Sequence, residues 1–189
     1  MIRIGILGDI GSGKSHTAKK FGYPVFNADV EVRKLYKKNR KCYRKLKKAL
    51  PHYIFSFPIR KVEISKAVMA GSRNLLKIIK VIHPEVRLSM NRFLKKNKNK
   101  KAVILDIPLL LENKINRKND ILVFVDAKKK DINKRLKHRK NFNSKIFQKL
   151  KKLQLPVEIK KKKSDYIIKN NFNNYLLKKN VKKVLRKIL

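Results

Sequence analysis

Residues 2–15 read IRIGILGDIGSGKS, and this stretch decides the fold. Residues 2–7 form a short apolar run that stops at Gly8, the pattern of a strand buried in a parallel sheet. The chain then enters Gly8-Asp9-Ile10-Gly11-Ser12-Gly13-Lys14-Ser15, which fits G-x-x-x-x-G-K-[ST]. The glycines let the backbone curl so that successive N–H groups turn inward onto phosphate oxygens. The helix expected over 14–21 presents its N-terminus to the same anion. Lys14 can then reach β- and γ-phosphates, and the Ser15 hydroxyl can ligate Mg²⁺.

Working outward, a second short strand is expected over 23–26, and further buried strands over 102–107 (AVILDI), 121–125 (ILVFV) and 166–168. Pro108 stops the third, and Asp126 ends the fourth. Helical spacing marks 30–50, 64–82 and 86–94, with a Pro- and aromatic-rich break over 51–58 and a helix stop expected at His83-Pro84. A long basic helical region covers 131–152, perturbed near 141–144, and 175–189 reads as an amphipathic terminal helix. Strands that alternate with helices, each an apolar run, imply an α/β fold whose parallel sheet is covered on both faces.

The chain has 189 residues, of which 42% are hydrophobic, enough for one domain with a sizeable core. Lys and Arg number 53 against 12 Asp and Glu, a formal net charge of +41. A nucleic-acid binder would interleave aromatics with the basic residues, and this chain does not. The excess is mostly Lys, runs through the whole chain and accompanies abundant Asn and Ile, as drift in an A+T-rich genome would produce. No specific nucleic-acid partner is therefore expected. The single cysteine, Cys42, has no partner for a disulfide, which fits a reducing cytoplasm. The apolar start is too short for a signal peptide and no stretch approaches a membrane span, so a soluble protein is expected.

Other positions carry two readings on the residues alone. Asp29, in Asn27-Ala28-Asp29, lies just beyond the second strand, where ligands of open α/β sheets bind. Its carboxylate suits either a proton acceptor for an attacking hydroxyl or an N-cap for the helix beginning near Val30. Asp106, inside the strand AVILDI, is a weak candidate for a Walker-B-like carboxylate. Pro108-Leu109-Leu110-Leu111-Glu112 is either packing and surface or part of a pocket. Arg135 and Arg139 lie on one helical face, where membership of a basic surface outweighs a phosphate clamp.

Taken in order, these segments resemble the dephospho-coenzyme A kinase family. The family's G-G-I-G-S-G-K-S/T is GDIGSGKS here, and its D-A-D is Asn27-Ala28-Asp29. Its H-P is His83-Pro84, its P-L-L-x-E is Pro108 to Glu112, and its V-x-V-D is Val123 to Asp126. Its lid arginine matches Arg139, its lid-terminal Gln resembles Gln154, and its A-D-Y-V-I-x-N-x-G tail looks like Ser164 to Phe172. The phosphate loop alone is shared with many unrelated proteins; the ordered set is far more specific, since a nucleoside-monophosphate-type kinase would lack the Asp-Ala-Asp-like and Pro-Leu-Leu-x-Glu pair.

The resemblance implies a P-loop three-layer α/β/α core (about 1–35, 100–135 and 157–189), a helical acceptor-binding insert (about 36–99) and a lid (about 136–156). It implies ATP-dependent phosphorylation of the ribose 3′-hydroxyl of dephospho-coenzyme A with Mg²⁺, by a cytoplasmic protein, expected to be a monomer. Asp29 would then be the general base, with Lys14 and Arg139 on the transferring phosphate. ATP would be held by Gly8 to Ser15, His16, Arg139 and Asn170, the acceptor by His83, Pro108, Leu109 and Glu112, and the metal by Ser15. The chain departs from the family at Asp9 and Asn27, which replace a Gly and an Asp, and at Phe172, where a Gly is usual. The stretch 36–73 matches poorly.

Overall fold

The computed structural model describes residues 1–138 and 142–189. In chain order the elements are β1 (Ile2–Gly8), α1 (Lys14–Lys20), β2 (Val25–Asn27), α2 (Ala28–Lys38), α3 (Arg40–Ala49), α4 (Lys61–Ala70), α5 (Ser72–Lys96), β3 (Ala102–Asp106), β4 (Ile121–Asp126), α6 (Lys129–Lys137), α7 (Ser144–Lys152), α8 (Val157–Lys162), β5 (Tyr166–Lys169) and α9 (Asn174–Ile188). They form two compact units. One comprises Met1–Asn27, Asn97–Phe142 and Leu150–Leu189; the other comprises Ala28–Lys96 and Asn143–Lys149.

The first unit holds a sheet of order β2-β3-β1-β4-β5, parallel at every pairing. Because β1, β3 and β4 are central, their apolar runs need not alternate. Ile4, Ile6, Ile104, Val123 and Val125 face α1 and α9, which bring Ala18, Phe21, Leu177 and Val181 to a common core. On the opposite face Gly5 leaves room for Leu110: a Cβ at Gly5 would come within 2.5 Å of its side chain. The register pairs Asn27 with Asp106 and Gly8 with Val125, and Asp126 with Lys169. The carboxyl ends of all five strands therefore finish along one edge, where open α/β sheets bind ligands. At the opposite edge Arg3 and Asp120 form a buried ion pair at 3.0 Å. Burial lowers the Arg3 pKa and raises that of Asp120, each toward its neutral form.

The second unit packs α2, α3 and α4 against α5. The helical region expected over 30–50 is two helices, because Asn39 caps α3 by accepting from the Cys42 N–H at 2.8 Å. Such a cap contributes about 1 kcal/mol. The helix stop expected at His83-Pro84 falls instead at Gly71, and α5 runs through Pro84. An interior proline costs about 3 kcal/mol. Leu75, Ile78, Ile82 and Met90 of the same helix are buried, at about 1.5–3 kcal/mol each, so packing wins. Cys42 is a buried core thiol, pushed up to about 11 mainly by burial, with the Glu85 carboxylate adding to it.

Glu63, 3% exposed, organises the loop before α4. It accepts from the Phe55 N–H (2.9 Å), the Ser56 N–H (3.3 Å), the Ser56 hydroxyl and Arg60 Nε (3.0 Å). Burial alone would raise its carboxyl, but the hydrogen bonds from Ser56, Phe55 and Arg60 prevail and hold it at about 2 rather than 4.5. A depressed native pKa stabilises the fold above the unfolded value and ceases to do so as pH falls through the native one. Glu63→Gln is therefore expected to lower stability at pH 7. The gap from the parent should narrow steadily between about pH 4.5 and pH 2, read by urea unfolding across that range. A pH-independent gap would remove the ionised carboxylate from the account.

Candidate functional site

The glycine-rich turn after β1 has the form its sequence predicts. Gly13 caps α1 with φ +92°, a left-handed conformation open to glycine, and a Cβ there would run into the Asn170 amide. Lys14 Nζ folds back over the loop, donating to the carbonyls of Gly8 (3.2 Å) and Asp9 (2.8 Å). Asp9 turns its carboxylate onto the neighbouring Ile10 N–H at 2.7 Å. Ser12 is 1% exposed, and its hydroxyl has no hydrogen-bond partner among the described residues. A buried hydroxyl left without a partner is costly; an anion seated in the turn would supply the acceptor. Ser15 and His16 are exposed at the start of α1.

Beside the turn, the end of β2 meets the end of β3. Asn27 donates to the Asp106 carboxylate, and its amide lies 3.4 Å from the Ser15 hydroxyl. Asp106 is 2% exposed. A hydroxyl and a buried carboxylate linked by one amide form a hard-oxygen site of the kind Mg²⁺ takes alongside phosphate oxygens. No cluster of three or more His, Cys, Asp or Glu occurs among the described residues, and a cation shared with a nucleotide needs none.

Asn170, 3% exposed, ties the end of β5 to the same turn. Its N–H donates to the Asp126 carbonyl (2.7 Å), its side-chain amide donates to the Ser12 carbonyl (2.8 Å), and its side-chain oxygen accepts from the Phe172 N–H (3.0 Å). Phe172 adopts φ +63°. Left-handed backbone costs a residue with a Cβ about 1–2 kcal/mol. The Arg135 guanidinium carbon sits 4.3 Å from the Phe172 ring centroid, a contact worth about 0.5–1 kcal/mol where exposed. The strain exceeds what the pair returns. On the same rim, His16 Nε2 lies 3.1 Å from Asn174 Oδ1.

Pro108 and Leu109 are half-buried just beyond β3. Glu112, in the same segment, accepts from the Leu155 N–H at 2.9 Å and pairs with Lys160 at 3.1 Å. Lys160 is 2% exposed and also donates to Gln154 at 2.9 Å. A buried ammonium is tolerated only with such partners, so Glu112 joins the segment after β3 to the turn between α7 and α8. Asp126 pairs with Lys161 at 3.0 Å.

In the second unit Asp29 is exposed and lies in the first turn of α2, one residue inside its start at Ala28. It is therefore not the N-cap. His83 is half-buried within α5; burial, then the Arg87 charge, lower its pKa from 6.5, so the ring is neutral at pH 7. Lys149 donates from α7 to the carbonyls of Val68 and Met69 at the end of α4, both at 2.9 Å. Arg139 lies outside the described residues.

Sequence reasoning placed Lys14, Ser15, His16 and Asn170 at one turn, and the structure brings them together. It missed the Asn27–Asp106 link, the Glu112–Lys160 pair and the Arg135–Phe172 stack. Phe172 at a position where the family resemblance expects glycine was the available signal for the last. The other two join residues far apart in sequence.

Comparison with known proteins bears on the chemistry. Residues 2–175 match the family model described as dephospho-CoA kinase. A dephospho-CoA kinase of Wolbachia pipientis is 34% identical over 170 residues, covering 87% of each chain. One from Bacillus anthracis is 30% identical over 193 residues, covering 97% of this chain and 96% of its own. Among solved structures, TT1252 from Thermus thermophilus superimposes with a TM-score of 0.81 at 26% identity, covering 100% of this chain and 97% of that one. A shikimate kinase from Bacteroides thetaiotaomicron, at 12% identity and TM-score 0.51, shares the fold.

Proposed function

This chain belongs to the dephospho-CoA kinase family, and on that premise we propose how its residues divide the work of phosphorylating dephospho-CoA with ATP. The carrying observation is the turn at Gly8 to Ser15. It holds a lysine on its own carbonyls and a buried Ser12 hydroxyl without a partner among the described residues, and it lies at the carboxyl edge of a parallel sheet.

Backbone N–H groups of the turn bind the β-phosphate. Lys14 exchanges the Gly8 and Asp9 carbonyls for phosphate oxygens and balances charge on the transferring group. Arg139 grips the same group with its planar fork. His16 and Asn170 border the nucleotide. Ser15 and Asp106 would hold Mg²⁺, with Asn27 orienting the carboxylate. When bound, the ion neutralises phosphate charge. Asp29 accepts the proton of the ribose 3′-hydroxyl as that oxygen attacks the γ-phosphorus, and ADP leaves with the electrons of the broken P–O bond. Neutral His83 can hydrogen-bond the acceptor without adding charge, and Pro108 and Leu109 supply an apolar surface to it. Glu112 supports that segment through Lys160. We further infer a cytoplasmic monomer acting on two small molecules; among the described residues no helix is long and apolar enough to cross a membrane.

The purified chain, given ATP and Mg²⁺, is expected to phosphorylate dephospho-CoA and to leave adenosine and nucleoside monophosphates unreacted. Equal turnover of a nucleoside monophosphate would displace this acceptor.

A further inference from the structure

Lys149 makes two contacts for which the phosphoryl-transfer chemistry has no use. From α7 its ammonium donates to the carbonyls of Val68 and Met69 at the end of α4, both at 2.9 Å. Those carbonyls need an outside partner, because a helix leaves its last four unmatched. α4 ends at Gly71, whose φ of 172° is extended, so the left-handed cap that returns N–H groups to a helix end is absent. The last turn of α4 holds no basic residue of its own. Asn74 satisfies the Ala67 carbonyl at 3.1 Å, and Lys149 takes the next two. Its charge also meets the negative end of the α4 dipole.

Asn143 adds a second point of contact. It caps α7, accepting from the Ile146 N–H at 3.0 Å, and its amide lies 3.6 Å from the Met69 sulfur. α7 has no buried residue. A helix with so little core is held largely by polar contacts and opens at low cost. Residues 136–156 are the segment expected to form a lid. Of these, Asn143–Lys149 belongs to the same unit as Ala28–Lys96, while Leu150 onward belongs with the sheet. In that helical unit α4 packs on α5, which carries His83. We propose that Lys149 is a positioning residue: it clamps α7 to the end of α4, so that the helix answers to the acceptor held by the helical unit rather than to ATP. Arg139 precedes α7 by five residues of sequence, a stretch of chain that spans at most about 18 Å. Where α7 is held therefore limits where that arginine can reach.

This inference rests on the helical unit binding the acceptor, which dephospho-CoA binding to the unaltered chain tests by itself. The decisive variants are Lys149→Met and Lys149→Arg, with Lys145→Met as an exposed control on the same helix. Backbone hydrogen exchange over 144–152 is followed on the full chain without ligand, with dephospho-CoA and with ADP. Kinetics and melting temperature are measured on each variant. In the parent, dephospho-CoA alone should slow exchange in α7, and ADP alone should leave it unchanged. Lys149→Met should speed ligand-free exchange in α7 and at 66–70 about tenfold and abolish the response to dephospho-CoA. It should lower kcat/KM for dephospho-CoA about tenfold and leave the KM for ATP unchanged. Lys149→Arg, whose guanidinium can donate to the same two carbonyls, should behave as the parent does, and so should Lys145→Met. Unchanged ligand-free exchange in Lys149→Met would overturn the clamp, whether or not dephospho-CoA proves to be the acceptor. Protection of α7 by ADP alone would overturn the coupling, as would a lowered melting temperature with kinetics intact, the signature of a plain helix cap.

Discussion

Lys14→Ala is expected to lower kcat by about 10²–10³, the usual loss for one preorganised charge contact in phosphoryl and acyl transfer, equivalent to about 3–4 kcal/mol of barrier. Lys14 is the sole basic side chain between Gly8 and Ser15, and its ammonium already lies on the Gly8 and Asp9 carbonyls. Phosphate oxygens replace one set of acceptors with another, so little reorganisation is needed. The Asp9 carboxylate, absent from the family pattern, is engaged with the Ile10 N–H and leaves the lysine its role. The fold should tolerate the change, because Lys14 opens α1 and alanine is a good helix former. Steady-state kinetics with a matched thermal melt would check this. Turnover within threefold of the parent would remove Lys14 from the mechanism.

Asp29→Asn is expected to reduce turnover by about 10²–10⁴, the contribution of a positioned general base, with the KM for ATP held. Two functions compete for this residue, and magnitude separates them. As a first-turn carboxylate on α2, Asp29 stabilises the helix terminus by about 0.3–1 kcal/mol. The substitution therefore costs stability of that order at most. A large kinetic loss beside a small thermal one identifies the base. The converse pattern would return Asp29 to a structural role at the helix start.

Much of the sheet could be read directly, because β1, β3 and β4 are apolar runs with clear ends. The turn after β1 was equally legible, since backbone curvature, anion binding and helix initiation all act on eight contiguous residues. The helical unit was less so. Pro84 reads as a stop, yet the buried face of α5 carries the helix through it. Asn39 reads as one polar residue among many, yet it divides α2 from α3. Short, basic α8 passed unnoticed because four of its six residues are charged, and Lys160 belongs to the interior through Glu112 and Gln154. For α5 and α8 the deciding partners are distant in sequence.

The strand order β2-β3-β1-β4-β5 also dictates a timetable for the nascent chain. Neither β1 nor β2 pairs with the other; both pair with β3. Until residue 106 has left the ribosome, two apolar strands made early have no partner from their own chain. The helices of residues 28–96 are contiguous and can assemble as they emerge. β3 is then the keystone: its arrival converts two waiting strands into a three-stranded sheet, to which β4 and β5 add outward from β1. A translation pause just before residue 102 would hold the chain in its most adhesive state, with its helices formed and its strand edges bare.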